Sequence, residues 1–193
     1  MQQKSLQKGF TLIELLVVIA ILSILAVAVI LTLNPAQMLK QARDSQRISD
    51  MSTLKSAIGL YLADVTSPSM GTSTNCYVSF SGSSATACTG RMTATTVVTT
   101  TAANAGSTTG AGWIPINFTA ISSGSPLGAE PVDPINNATY FYSYATNGSS
   151  NFQFEINADM ESTRYAASGT TDVESTDGGS SSTVYEVGSS LGL

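Results

Sequence analysis

Apolar positions are distributed along this chain in two different ways. Residues 10–33 are almost unbroken hydrophobic sequence, with Glu14 as their one charge. Such a run has no polar face, so as a helix it must be surrounded by apolar material on all sides. It is also long enough to cross the hydrocarbon core of a bilayer, which takes about 20 helical residues. Further on the pattern changes. Met51, Leu54, Ile58, Tyr61 and Val65 recur at spacings of three and four, the stripe of an amphipathic helix. Arg43, Asp44, Arg47 and Lys55 are expected on other faces, either solvated or in contacts between chains, because exposed ion pairs contribute little to folding.

Asn34-Pro35 lies between the two patterns. Proline lacks the N–H that would pair with the carbonyl of Leu31 and crowds that carbonyl. The sequence therefore predicts one of two things. Either a single helix over 11–64, about 80 Å long at 1.5 Å per residue, is kinked at Pro35, or one helix ends and a second begins there.

After residue 65 the apolar positions form short patches. Thr93–Thr101 (TATTVVTTT) is rich in β-branched residues and predicts a strand. Trp113-Ile114-Pro115-Ile116-Asn117-Phe118 reads as a connection anchored in the core. Tyr140–Thr146 and Phe152–Asn157 flank Asn147-Gly148-Ser149-Ser150, a hairpin signal. Within the second of these strands Phe152, Phe154 and Ile156 alternate with Gln153, Glu155 and Asn157, so one face is expected to be buried against the helix. Thr183–Val187 is a weaker last strand, and the Ser/Thr-rich stretches 66–110 and 168–183 read as surface loops. A long helix followed by an antiparallel hairpin sheet places the chain in the α+β class.

Composition narrows the function. Only 11% of residues are charged, against about 25% in a typical soluble protein. The net charge of −5 argues against a nucleic-acid site, which needs a basic face. There is no histidine, so the commonest general base and metal ligand are missing. With no nucleophile–base–acid set and no phosphate-cradling glycine loop, an exported enzyme is disfavoured. Lys4 and Lys8 precede the apolar run without neighbouring acids, which leaves residues 1–9 in the cytoplasm and exports everything after residue 33. Four segments follow: a leader (1–9), an apolar helix (10–33), an amphipathic stretch (34–65) and an exported body (66–193). In an exported body Cys76 and Cys88 form a disulfide by default.

Three readings compete for the N-terminal segment. It can be a plain membrane anchor, or a secretory signal cut at Ala26-Val27-Ala28, although apolar sequence continues beyond that tripeptide. Neither explains Glu14, because a carboxylate inside a spanning segment is costly and marks function. The third reading does. Lys8-Gly9-Phe10-Thr11-Leu12-Ile13-Glu14-Leu15-Leu16 resembles the prepilin signature of type IV pilins and type II secretion pseudopilins.

That resemblance implies a pilin-like fold, with the long N-terminal helix packed on a small antiparallel sheet. It also implies cleavage between Gly9 and Phe10 by a prepilin peptidase that methylates the new N-terminus at Phe10. Glu14 is then the fifth mature residue and pairs with the N-terminal amine of a neighbouring copy. The implied partners are further copies of the chain in a helical filament, the peptidase/N-methyltransferase, an inner-membrane assembly platform and an assembly ATPase. The location implied is the bacterial inner membrane first, and an extracellular or periplasmic filament afterwards. The alternatives are a pseudopilin of a type II secretion system or a membrane-anchored surface binding protein that never polymerises.

Pro131-Val132-Asp133-Pro134, followed by Tyr140-Phe141-Tyr142-Ser143-Tyr144, resembles a segment of major pseudopilins. Those proteins carry a calcium loop near the C-terminus. Asp172, Glu174 and Asp177 before Gly178-Gly179 form an oxygen-rich turn that is the corresponding calcium candidate, although no cofactor is required. Asp159 and Glu161 read as a solvated turn.

Overall fold

The computed structural model describes residues 9–82, 86–148 and 151–193. Lys4, Lys8 and the turn residues Ser149 and Ser150 lie outside them. The chain divides into two compact units between Leu39 and Lys40.

In the first unit, helix α1 runs Leu12–Leu33, and its apolar side chains from Leu12 to Ile30 are exposed. Residues Leu12–Ile30 are long and apolar enough to cross a membrane. The helix stops at Asn34, whose backbone is left-handed (φ 42°, ψ 74°). Asparagine tolerates that conformation better than most residues other than glycine. Helix α2, Pro35–Asp64, begins with the proline at its first position, where a missing N–H costs no helical bond. The Asn34 carbonyl and side chain both accept from the Gln37 N–H. Residues 11–64 are therefore two helices rather than one kinked helix. The break falls on Asn34, and Pro35 opens the second helix.

In the second unit, Met51, Leu54, Ile58 and Tyr61 of the predicted stripe are buried along α2, joined by Ala57, while Val65 lies just past the helix end and is half-buried against the same core. It packs on a five-stranded sheet in the order β2-β1-β3-β4-β5. The strands are β1 (Asn75–Val78), β2 (Thr96–Thr99), β3 (Tyr142–Thr146), β4 (Phe154–Ala158) and β5 (Tyr185–Gly188). The hairpin β3–β4 and the last strand lie where the sequence placed them. The sheet is mixed rather than antiparallel, because β2 pairs parallel to β1. Strand β1 lies within the stretch read as surface loop.

Register explains how the sheet is covered. Val98, Tyr77, Tyr144, Ile156 and Val187 are aligned across all five strands and join the core that contains Met51, Leu54, Ile58 and Tyr61. Trp113, Ile114, Ile116 and Phe118 complete that core, as expected of an anchored connection. The adjacent row is Val97, Cys76, Ala145, Glu155 and Gly188, and it points to the opposite face, since side chains alternate along a strand. There Cys76, Val78, Phe80, Cys88, Ala94, Phe141 and Ala145 build a second apolar cluster. The face of β4 expected against the helix is buried there, and the opposite face is covered as well, so all five residues of β4 are buried. Glu155 is fully buried on that face because its carboxylate accepts the N–H groups of Gly192 and Leu193 at 2.5 and 2.7 Å.

Candidate functional site

The N-terminal site is built by the helix start. Thr11 is the N-cap of α1 and forms a capping box with Glu14. The Thr11 hydroxyl accepts the Glu14 N–H at 3.3 Å, while Glu14 Oε2 accepts the Thr11 N–H at 2.8 Å and its hydroxyl at 2.7 Å. This is the geometry of Ser/Thr-x-x-Glu at a helix start, where orphan amides attract a carboxylate. Both bonds fall on Oε2. Glu14 is exposed, as are Gly9 and Phe10. The Thr11 contacts hold the carboxylate at the head of the exposed apolar helix.

Cys76 and Cys88 are joined by a disulfide and are both buried in the second cluster. The bond fastens β1 to the connection that leads to β2.

Asp172, Glu174 and Asp177 are not brought together. Asp172 caps a turn by accepting from Ser168 N–H at 2.8 Å and Ser175 N–H at 3.0 Å. Glu174 is buried and spends its two oxygens on Met160 N–H and Ala167 N–H, each at 2.8 Å. Asp177 holds Gly179 N–H at 2.8 Å and Glu186 N–H at 2.6 Å. Among the described residues no three His, Cys, Asp or Glu side chains form a group that could hold a metal ion. The three acids therefore do the work of loop caps, and their oxygens point at amides rather than at one another.

Of the α2 charges expected off the apolar stripe, Lys55 is exposed and Arg43 is half-buried, but Asp44 and Arg47 are part of the interior. Asp44 and Arg47 are fully buried. The Arg47 guanidinium meets Asp133 side-on, with Nε to Oδ2 at 2.6 Å and an NH2 to Oδ1 at 2.9 Å. Its other terminal nitrogen reaches Asp44 at 2.8 Å and Glu161 at 2.7 Å. Arg43 adds a second pair to Glu161 at 2.6 Å. Asp44 also accepts the N–H groups of Glu161 and Ser162, and Asp133 those of Ile135 and Asn136. Burial alone would raise the Glu161 carboxyl, but the hydrogen bonds from Arg43 and Arg47 outweigh it and hold it below its ordinary range. The network fastens α2 to two loops, and Asp159 and Glu161 belong to the structure rather than to a solvated turn. Asp159 pairs with Arg91, whose guanidinium lies 4.0 Å from the centre of the Phe141 ring.

A signal for this was present in the sequence. Asp44 and Arg47 continue the spacing of Met51, Leu54, Ile58 and Tyr61 backwards by four and three, so the buried stripe begins with charges. Glu130 left no such signal. Its carboxylate is buried beneath residues 112–114 and accepts the Ile114 N–H at 3.0 Å, while Oε1 has no hydrogen-bond partner among the described residues. Burial, only partly opposed by the Ile114 and Trp113 amides, pushes this acid up to about 8. Gly112 is required beside it, because a Cβ there would strike the carboxylate.

Residues 4–30 match the family model of the prokaryotic N-terminal methylation motif. No curated protein and no solved structure matches the chain. The matched residues are the prepilin signature of type IV pilins and pseudopilins, and they include the capping box and most of α1.

Proposed function

We propose that this chain, which carries the prepilin signature, is the precursor of a structural subunit of a type IV pilus-like filament. Pilins and pseudopilins are structural proteins rather than enzymes. Before assembly α1 holds the chain in the bacterial inner membrane with the second unit exported. Prepilin peptidase cuts between Gly9 and Phe10 and methylates Phe10. An assembly platform and ATPase then move the subunit into a filament, where the apolar helices pack together.

The observation that carries this reading is the placement of Glu14. Its carboxylate stands at the head of an exposed apolar helix, four residues from the nitrogen that cleavage would free. A released amine has an ordinary pKa of about 7.7–8.0 and is largely protonated at neutral pH. Within a bundle of apolar helices an unpaired charge is far costlier than a paired one, so the amine of one copy and Glu14 of the next set the axial register. Apolar contact supplies cohesion, and the ion pair supplies position.

The test combines N-terminal sequencing and intact mass of the protein recovered from cells with the variant Glu14→Ala. A chain that begins at methylated Phe10, and loss of filaments in Glu14→Ala with membrane insertion intact, are expected. A start at Val29 or an intact Met1 would refute the processing, and normal filaments in Glu14→Ala would refute the pairing.

A secretion pseudopilin is the second reading. It is favoured by the Asp-Pro and tyrosine segment, in which Asp133, Tyr142 and Tyr144 are all buried. Dependence of a secreted enzyme on this subunit would select it, and fibres outside intact cells would select the pilus.

A further inference from the structure

Three Asn-x-Ser/Thr sequons occur in the second unit: Asn117-Phe118-Thr119, Asn137-Ala138-Thr139 and Asn147-Gly148-Ser149. In an exported protein such a tripeptide is an acceptor for N-linked sugar. The transfer needs a carboxamide nitrogen that is free and a tripeptide that can leave the protein surface to enter an enzyme. The structure separates the three on both counts. Asn147 spends its amide nitrogen on Gln153 Oε1 at 2.7 Å, and its third residue lies outside the described ones. Asn117 has Thr119 Oγ1 and N–H on its Oδ1 at 2.6 and 3.1 Å, but Phe118 between them is fully buried in the main core. Extracting that tripeptide would empty a core position.

Asn137-Ala138-Thr139 has neither obstacle, since all three residues are exposed. Asn137 Oδ1 accepts the Thr139 and Tyr140 N–H groups at 2.8 and 2.9 Å, an Asx turn that aims the other half of the carboxamide outwards. Neither Asn137 Nδ2 nor the Thr139 hydroxyl has a hydrogen-bond partner among the described residues. Asn136 anchors the turn by holding Ser79, and the ties of the tripeptide to the rest of the fold are backbone ones, Asn137 N–H to the Tyr140 carbonyl at 2.9 Å and Arg91 to the Thr139 carbonyl at 3.5 Å, which leave both side-chain ends free for the enzyme.

We propose that Asn137 is an N-glycosylation site of the exported unit. The donor class is an oligosaccharide joined through a diphosphate to a membrane lipid. Asn137 Nδ2 attacks the anomeric carbon, the C–N bond forms, and the bond from that carbon to the diphosphate oxygen breaks. The lipid diphosphate leaves with the electron pair, and the amide proton passes to a base of the transferase. The proposal rests on the export inferred above.

One mass-spectrometric experiment on protein recovered from its own cells reads both ideas separately. The peptide that contains Asn137 is expected to carry added saccharide mass, while the N-terminal peptide independently reports processing at Phe10. Asn137→Gln and Thr139→Ala each abolish the added mass, and Thr139→Ser keeps it. An unmodified Asn137 on a chain that begins at methylated Phe10 overturns the site and leaves the filament reading intact. A modified Asn137 on an unprocessed chain does the reverse. Added mass that survives Asn137→Gln places the sugar on a hydroxyl or another asparagine, and also overturns the site.

Discussion

Replacing Arg47 by alanine gives the sharpest check on how the second unit is held. In the folded chain Arg47 is the shared cation of Asp44, Asp133 and Glu161, and its side chain and those of both aspartates are fully inaccessible. The substitution leaves Arg43 to pair with Glu161, but it strips Asp133 of both charged hydrogen bonds. Removing one partner of a buried ion pair costs about 3–5 kcal/mol, because a desolvated charge is left behind. A solvated pair would cost about 0–1 kcal/mol. In a chain of this size each kcal/mol moves the melting temperature by about 2–4 °C, so Arg47→Ala should lower it by roughly 6–20 °C. The assay is near-ultraviolet circular dichroism of the full chain in detergent micelles, which follows Trp113 and the buried tyrosines. Arg47→Lys should recover only part of the loss, since an ammonium cannot make the side-on double contact with Asp133. A drop of less than about 3 °C for Arg47→Ala would mean that Arg47 is no buried tie, because that is what a surface pair predicts.

Three further outcomes are expected. Glu130 has a folded pKa near 8 against an ordinary 4.5. It binds a proton in the folded state that the unfolded chain has lost, so its stability contribution is full below pH 4.5 and is lost as pH rises through 8. Denaturant midpoints should fall across that window by up to about 5 kcal/mol equivalent. Glu130→Gln should flatten the profile and be the more stable protein at pH 8, and an unchanged slope in that variant would count against the assignment. The double variant Cys76→Ala/Cys88→Ala, compared with wild type by chemical denaturation, should lose about 2–4 kcal/mol, the usual range for a short closed loop. A chelator should leave the melting temperature unchanged, since Asp172, Glu174 and Asp177 already cap separate amides. A rise of several degrees on adding calcium would show that those loops rearrange around an ion.

Local sequence carries the features that neighbouring residues settle among themselves. Helix α1 follows from a contiguous apolar run, the capping box from Thr11 and Glu14 three positions apart, and the break from Asn34-Pro35. The hairpin β3–β4 follows from two alternating segments around a short turn. Each of these depends on dihedral preference and on hydrogen bonds closed within a few residues, which a local pattern encodes. The tertiary structure decided whatever depends on partners far along the chain. Arg47 is interior only because Asp133, 86 residues later, meets its guanidinium, and without that partner a charge on α2 would belong in water. Strand β2 had a legible β-branched sequence, yet its parallel pairing depends on β1, a four-residue strand with no strong period of its own. That the outer face of β4 is also covered is not legible in its alternation, which records which residues are polar and not what will cover them. Glu155 is buried there because the amides of Gly192 and Leu193 replace its water, and a hydrogen bond between residues so distant leaves no trace in local periodicity.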